Sequence, residues 1–201
     1  MRHTHAVITV HLVSHWTAPG HDARVAADDA ARAAVEAACA LPASTPIAIG
    51  RRCHSCGSRD HGAPFAAFEG ESAVPHLSIS RAPGVVIAAA CVRAPVGVDV
   101  EAAGTPLDPR LADVALAAAE RPRTTAPGDL LRAWVRKEAL LKATGAGLAV
   151  DPATVELHGT RVARGPAGPW ELQDVDLSPG LVVSVAVRAE GPISVVSHTT
   201  P

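Results

Sequence analysis

The sequence predicts an α+β fold, in which helices and antiparallel strands both contribute to the core. Residues 130–148 repeat apolar side chains at three- and four-residue spacing, and residues 96–101 alternate strictly between valine and other residues. Further alternating stretches follow residue 154. With 201 residues the chain can bury a substantial core. Because it has three tryptophans, two phenylalanines and no tyrosine, that core must be built from alanine, valine and leucine.

The N-terminal stretch, residues 6–13, predicts a strand whose two faces differ. One face carries Thr4, Ala6, Ile8, Val10 and Leu12, and the other carries His3, His5, His11 and His15. Histidines on one face can bind a metal, but a solvated strand surface is the interpretation that we favour.

Residues 22–40 predict a helix, because the body is rich in alanine and Pro42 follows its end. Arg24 and Arg32 are the cations of this helix. A short strand is predicted at residues 47–49, and a loop at residues 50–63.

The loop contains Cys53 and Cys56, with His54 and His61 nearby. Two cysteines at this spacing can supply half of a zinc site, or a redox pair. A second pair of ligands at comparable spacing is missing, so a tight turn leading into residues 62–64 is the favoured interpretation.

Residues 96–101, VGVDVE, predict a strand with its three valines facing the core. Gly97, Asp99 and Glu101 then share the opposite face. Adjacent carboxylates repel each other and raise each other's pKa unless a cation lies between them. The alternative is that both carboxylates lie on the exposed face of an edge strand.

Residues 130–148 predict a helix that ends at Gly145, with Trp134, Glu138 and Lys142 along one side. Glu138 lies at the edge of the apolar stripe, where a carboxylate needs a compensating partner. One interpretation is a surface ion pair with Lys142. The other adds Glu138 to Asp99 and Glu101 as a site for a hard divalent cation.

The remaining elements are a helix at residues 107–120 and an antiparallel meander at the C-terminal end. The strands of the meander are predicted at residues 154–158, 170–177, 181–187 and 193–197, with a turn at residues 178–180. Lys137 and Lys142 are the only lysines beside sixteen arginines. Lys137 should point away from the side that carries Lys142 and tolerate arginine better.

Composition excludes several classes of protein. A net charge of −2 argues against a nucleic-acid binder. No apolar run is long enough for a membrane span, and the N-terminus lacks the pattern of a signal peptide. Four cysteines without an export signal suggest reduced thiols. We therefore expect a cytoplasmic protein, and we expect it to be a monomer.

Four sequence elements together resemble the 4′-phosphopantetheinyl transferases, in particular the larger type that modifies polyketide and nonribosomal peptide synthetase carrier domains. The elements are RCHSCG with HGAP at residues 52–64, PHLSIS at 75–80, VGVDVE at 96–101 and WVRKEALLKATGAGL at 134–148. They occur in the family's order.

The resemblance implies two similar α+β subdomains related by a pseudo-twofold, residues 1–95 and 96–201, with the substrate in the cleft between them. It implies transfer of the 4′-phosphopantetheine arm of coenzyme A to a serine of an apo acyl or peptidyl carrier protein, releasing 3′,5′-ADP. Mg²⁺ would be held by Asp99, Glu101 and Glu138. Glu138 and Lys142 would be catalytic, and coenzyme A would contact Arg32, Arg51, Gly62, Ser78 and Lys142, with Arg52 as an alternative cation.

Two positions depart from the family pattern. Ile79 stands where the family usually has histidine between the serines, and Ala63 stands where it has lysine before the loop proline. These departures keep open a second hypothesis, a non-catalytic member that binds carrier protein or coenzyme A. A third is a metal-dependent hydrolase of a nucleotide diphosphate.

Overall fold

The structure, a computed structural model, describes residues 6–53, 55–69, 74–108 and 110–200. It confirms an α+β fold, with 25% of residues in helices and 35% in strands, arranged in several antiparallel sheets. None of the helices in these ranges is long and apolar enough to cross a membrane. His3, Thr4 and His5 of the predicted first strand and His54 of the predicted loop lie outside the described residues.

The elements follow one another along the chain as eleven strands and three α-helices within the described ranges. They are β1 (Ile8–Trp16), α1 (Ala23–Cys39), β2 (Ala48–Arg52), β3 (Ala63–Ala67), β4 (His76–Ala82), β5 (Val85–Cys91), β6 (Val96–Ala102), α2 (Leu111–Ala115), α3 (Pro127–Ala143), β7 (Glu156–His158), β8 (Arg161–Arg164), β9 (Glu171–Asp174), β10 (Leu181–Val187) and β11 (Ile193–Thr200). Short 3₁₀ turns lie at Arg121–Arg123, Gly147–Ala149 and Pro152–Thr154.

Two larger sheets pack face to face and carry one long helix each on their outer faces. The first has the strand order β11-β1-β5-β4, and the second has the order β6-β10-β9. Between them lies a core of aliphatic side chains, including Leu12 and Ile87 from the first sheet and Val98 and Val185 from the second. Helix α1 covers the other face of the first sheet with its alanines, and α3 covers the other face of the second.

Local sequence signals explain the ends of both long helices. Asp22 caps α1, because its carboxylate accepts hydrogen bonds from the backbone N–H groups of Arg24 and Val25. Helix α3 ends at Ala143, and two residues later Gly145 adopts a left-handed conformation with φ of 76° and donates its N–H to the carbonyl of Lys142. The predicted boundaries of these helices are therefore confirmed to within a few residues.

The neighbouring edges of the two sheets, β4 and β6, are joined by serine side chains. The Val98 N–H donates to Oγ of Ser78 at 3.0 Å, and the Val100 N–H donates to Oγ of Ser80 at 3.3 Å. These hydroxyls satisfy backbone donors on an edge strand that would otherwise be buried without partners. The alternation of serine with other residues in β4 thus holds the junction of the sheets together.

Gly97 allows α3 to approach β6 very closely. A methyl group at this position would collide with the carbonyl oxygen of Ala139 and the backbone nitrogen of Ala143 in α3. Glycine is therefore the residue that fits between the strand and the helix backbone. The close contact brings the side chains of α3 that face the strand next to Asp99.

Two predicted secondary-structure segments differ from the structure. The predicted helix at 107–120 shrinks to Leu111–Ala115, because the N–H of Ala117 donates to the carboxylate of Glu120 and the carbonyl of Ala115 accepts from Lys137. The predicted meander holds only for β9 and β10, because β7 pairs with β8 in a separate sheet and β11 pairs in parallel with β1. The division into 1–95 and 96–201 stays a prediction, although the last strand lies in the sheet of the first segment.

Lys137 also differs from expectation. It points away from Lys142 as predicted, but it is fully buried, with Nζ donating to the carboxylate of Glu120 and to the carbonyls of Ala115 and Pro152. Such a closely surrounded ammonium leaves little room for a guanidinium. The expectation that Lys137 tolerates arginine better than Lys142 stays a prediction, and this burial argues against it.

Candidate active site

The centre of the candidate site is a cluster formed by β4, β6 and α3. Nζ of Lys142 donates to Oδ1 of Asp99 at 2.6 Å, to Oγ of Ser80 at 3.0 Å and to the carbonyl oxygen of Val98 at 3.3 Å. The Ser80 hydroxyl in turn donates to Oδ1 of Asp99 at 2.7 Å. Lys142 thus pairs with Asp99 across the helix–strand contact, and the predicted surface pair with Glu138 is not formed.

Asp99 and Glu138 are both buried, at 5% and 8% exposure. This excludes the alternative in which Asp99 lies on an exposed strand face. Oδ2 of Asp99 and Oε1 of Glu138 are buried and find no hydrogen-bond partner among the described residues. Unpaired buried carboxylate oxygens carry a large desolvation cost, so both are left available for a ligand.

Burial also affects the protonation of Glu138 and Glu101. Burial, and to a lesser extent the charge of Asp99, raises the pKa of Glu138. The same two causes, in the same order, raise the pKa of Glu101, which lies at the more open end of β6. Lys142 opposes both shifts but does not cancel them. An additional positive charge would therefore stabilise Glu138 and Glu101 in their ionised form.

The donor set fits a hard divalent cation such as Mg²⁺, because all of its atoms are carboxylate oxygens and two of them are buried without partners in the described part of the chain. The three carboxylates do not form a tight cluster. Among the described residues, the group of potential ligands whose atoms all lie within 4.8 Å of one another is Cys53, Cys56 and His61. Wider spacing agrees with magnesium, which usually keeps several waters and contacts one or two carboxylates directly.

A cavity of about 330 Å³ adjoins Lys142. Gly62, Ala63, Ser78 and Ile79 line it on one side, and the glycine-rich turn after α3 lines it on the other. Its mixed lining and its size are typical of a site for a small molecule.

A second cavity shares Lys142, Gly62 and Ile79 with the first and adds Arg51 and Arg81. Arg51 is largely buried and forms an ion pair with Asp28 at 3.0 Å. Its Nη2 atom is buried without a partner in the described ranges, like the two carboxylate oxygens. Three cations around one cavity favour a ligand with several negative charges, such as a phosphate ester.

Arg32 lies elsewhere. It pairs with Asp29 at 2.6 Å and donates from Nε to the carbonyl of Ile47, in a cavity that includes Phe68 but not Lys142. The structure thus brings Arg51, Gly62, Ser78 and Lys142 together around adjoining cavities and leaves Arg32 apart from them.

Sequence reasoning missed Ser80 and Arg81 as site residues. The alternating serines of β4 carried a signal for Ser80, since they repeat on the face that meets β6. Arg81 carried no signal, because nothing in the order of residues shows that its side chain reaches the cavity of Lys142.

The loop after β2 forms part of the same wall, since Cys53 and Ser55 line the first cavity beside Gly62. Backbone N–H groups of Cys56 and Ser55 donate to the Cys53 sulfur and, with further hydrogen bonds from Cys56 and His61, lower the pKa of the Cys53 thiol to about 7. Sγ of Cys56 lies 3.5 Å from Nε2 of His61. The histidine that the sequence placed five residues away is therefore folded back onto the cysteines.

One protein-family model matches this chain over residues 95–184, and its description is the 4′-phosphopantetheinyl transferase superfamily. No curated protein gives a significant match. The matched range contains β6 with Asp99 and Glu101, and α3 with Glu138 and Lys142. The resemblance carried by these two motifs is confirmed, while the loop and β4, with Arg51, Gly62 and Ser78, lie before the matched range.

Proposed function

We propose that this chain, whose residues 95–184 match the model of the 4′-phosphopantetheinyl transferase superfamily, transfers the 4′-phosphopantetheine arm of coenzyme A to a serine of an apo acyl or peptidyl carrier protein. Members of the family act on carrier proteins with coenzyme A and typically use a divalent metal. The observation that carries the proposal is the Lys142–Asp99–Ser80 cluster, where carboxylate oxygens that have no partner among the described residues lie beside a cavity lined by cations.

The proposed coenzyme A site is the pair of adjoining cavities that share Lys142. Arg51, Arg81 and Lys142 supply positive charge for its phosphates. Nη2 of Arg51, which has no partner in the part of the chain that the structure describes, has hydrogen-bonding capacity left for such a ligand. The less polar cavity beside Gly62 and Ile79 accommodates an uncharged portion of the ligand.

In the proposed reaction, the serine hydroxyl of the carrier attacks the β-phosphorus of coenzyme A. A new bond forms between serine oxygen and phosphorus, and the bond from phosphorus to the bridging oxygen breaks, so that 3′,5′-ADP leaves. Glu138 accepts the serine proton, directly or through a water. Lys142 holds the phosphoryl oxygens with a compact, mobile charge.

Asp99, Glu101 and Glu138 would hold Mg²⁺ in this proposal. Bound there, the ion would offset negative charge that builds on the phosphoryl oxygens. Asp99 keeps Oδ2 free for this purpose because Lys142 and Ser80 both occupy Oδ1. Ser80 therefore acts as a positioning residue for that carboxylate.

We further propose the larger type of transferase, acting on carriers of polyketide or nonribosomal peptide synthesis, because residues 52–80 extend the resemblance toward the N-terminus. A second candidate function is binding of coenzyme A or carrier protein without turnover. The favouring observation is that Ala63 and Ile79, both departures from the family pattern, line the cavity beside Lys142. Neither side chain can donate a hydrogen bond to a phosphate.

The deciding experiment incubates the protein with coenzyme A, Mg²⁺ and an apo carrier protein, and follows the carrier by mass spectrometry. One added phosphopantetheine arm per carrier supports the transferase. A parallel calorimetric titration with coenzyme A separates the alternatives, since binding without any added arm supports the second candidate. Absence of both binding and transfer with several carriers would overturn the proposal.

A further inference from the structure

The loop between β2 and β3 gathers Cys53, Cys56 and His61 into one cluster at the rim of the cavity. One potential ligand atom from each residue lies within 4.8 Å of the others. Cys56 and His61 are exposed, and Cys53 is half-buried, so the cluster is open to solvent. It is separate from the carboxylates of β6 and α3 and takes no part in the proposed transfer reaction.

The geometry of the cluster matches a thiophilic metal. Zinc bonds of about 2.3 Å to sulfur and 2.0–2.1 Å to nitrogen at tetrahedral angles place a sulfur and a nitrogen ligand roughly 3.5 Å apart. Sγ of Cys56 and Nε2 of His61 are 3.5 Å apart. This pair therefore already has the spacing that a shared zinc ion would impose, and thiolate with imidazole is a donor set that zinc prefers.

The backbone around the cluster is built to hold this arrangement. The N–H of Cys53 donates to the carbonyl of Ser58, and the N–H of Gly57 donates to the carbonyl of Cys53, which closes a turn around both cysteines. Gly57 adopts a left-handed conformation with φ of 73°, which favours glycine. Backbone N–H groups of Ser55 and Cys56 also point at the Cys53 sulfur, where they stabilise a thiolate.

Gly62 explains how His61 reaches the cysteines. Its φ of 105° is open to glycine, and a methyl group there would collide with the carbonyl of Arg52 and the nitrogen of Cys53. The returning chain can therefore lie directly on the start of the loop, which places His61 beside Cys56. The sequence alone shows one CxxC pair, and this contact supplies the third ligand.

We propose that Cys53, Cys56 and His61 bind a divalent thiophilic cation, of which Zn²⁺ is the fitting example. The fourth tetrahedral position is open to water or a further ligand. Because Cys53 and Gly62 both line the cavity beside Lys142, the bound ion fastens one wall of that cavity. Its role is structural, and it does not depend on the transferase activity.

The test loads metal-free, fully reduced protein with Co²⁺, which substitutes for zinc and reports tetrahedral thiolate coordination by visible and near-ultraviolet absorption. We expect these bands to saturate at one ion per chain, to disappear on competition with Zn²⁺, and to coincide with a raised melting temperature. Cys56→Ala and His61→Ala should each weaken binding at least tenfold. The matched control is Cys91→Ala, which removes a cysteine buried in the core and should leave the bands unchanged.

The wild-type titration decides the matter even if a variant folds poorly. Absence of cobalt–thiolate absorption in the reduced wild type would overturn the proposal. A loss of two hydrogens from the oxidised chain, mapped to Cys53 and Cys56 and combined with no metal uptake after reduction, would assign the pair to disulfide chemistry instead. Either result leaves the transfer assay unaffected, so the two proposals fail separately.

Discussion

Lys142 donates from Nζ to Oδ1 of Asp99 at 2.6 Å, across the contact between α3 and β6. Glu138 lies one turn earlier on the same helix, yet its Oε1 atom remains unpartnered in the described ranges. The lysine therefore fixes one oxygen of Asp99, while oxygens of Asp99 and Glu138 stay available. Lys142 therefore orients Asp99, and the carboxylate oxygens that it does not contact are the atoms that can accept a ligand.

Lys142→Arg should lower kcat/KM for transfer at least tenfold, which corresponds to about 1.4 kcal/mol in the barrier. Three acceptors surround Nζ, and a planar guanidinium cannot reproduce their arrangement around a single point. Steady-state kinetics with coenzyme A and carrier protein give the value. Arg132→Lys, an exposed change on the same helix, is the control. Wild-type kinetics for Lys142→Arg would remove this lysine from the phosphate site.

Glu138→Gln should reduce transfer by a factor of 10² or more, since it removes the proposed base and a cation ligand together. The apoprotein should melt at the same or a higher temperature, by roughly 2–4 °C for each kcal/mol of relieved repulsion. Mg²⁺ should raise the melting temperature of the wild type but not that of the variant.

Glu190→Gln, at an exposed position, controls for the loss of one charge. A Glu138→Gln protein that still gains stability from Mg²⁺ would show that the cation binds elsewhere. A large drop in its apoprotein melting temperature would instead assign Glu138 a partner that stabilises the folded state.

Gly97→Ala should destabilise the fold by at least about 2 kcal/mol, because a methyl group there meets the backbone of α3 and not a movable side chain. Transfer should fall with it, since the helix must move away from Asp99. Gly104→Ala provides the matched control, because a methyl group at residue 104 has open space around it. Chemical denaturation of both variants measures the difference, and equal stability would contradict the close packing of α3 on β6.

The parts of the fold that were predictable are those with a local cause. Alternating valines identified β6, three- and four-residue spacing identified α3, and Gly145 marked the helix end. The parallel pairing of β11 with β1 has no local cause, because it joins residues at opposite ends of the chain. The sequence pattern of β11 fits a meander equally well.

The candidate site was likewise predictable only where the cause is local. Periodicity put Asp99 and Glu101 on one strand face and Glu138 and Lys142 on one helix side, as the structure has them. Which oxygen Lys142 would contact depends on the rotation and depth of the helix against Gly97. Arg81 reaches its place only through tertiary contacts, so the order of residues carried no signal for it. His61 was evident near the cysteines in the sequence, but its approach to Cys56 depends on the return of the chain at Gly62.

Lys137 gives the sharpest test of a buried ion pair in this protein. Its ammonium is fully buried and donates to Glu120, Ala115 and Pro152, while the Glu120 carboxylate also accepts from the N–H groups of Ala117 and Leu157. Burial lowers the pKa of Lys137, and the charge of Glu120 opposes that shift without reversing it. The network fastens the segment around α2 and β7 to α3, so its loss should affect stability first.

Lys137→Met should lower the free energy of unfolding by about 3–5 kcal/mol, since it leaves Glu120 charged and two carbonyls without their donor. Glu120→Gln in the same chain should recover part of that loss, and urea denaturation of the two single variants and the double variant measures the coupling. Arg132→Met, exposed on the same helix, should cost less than about 0.5 kcal/mol.

Lys137→Arg should also destabilise the protein, because the larger guanidinium group must fit a space that closes around a single Nζ atom. A cost below about 1 kcal/mol for Lys137→Met, or additive single and double variants, would show that the pair contributes little to the fold.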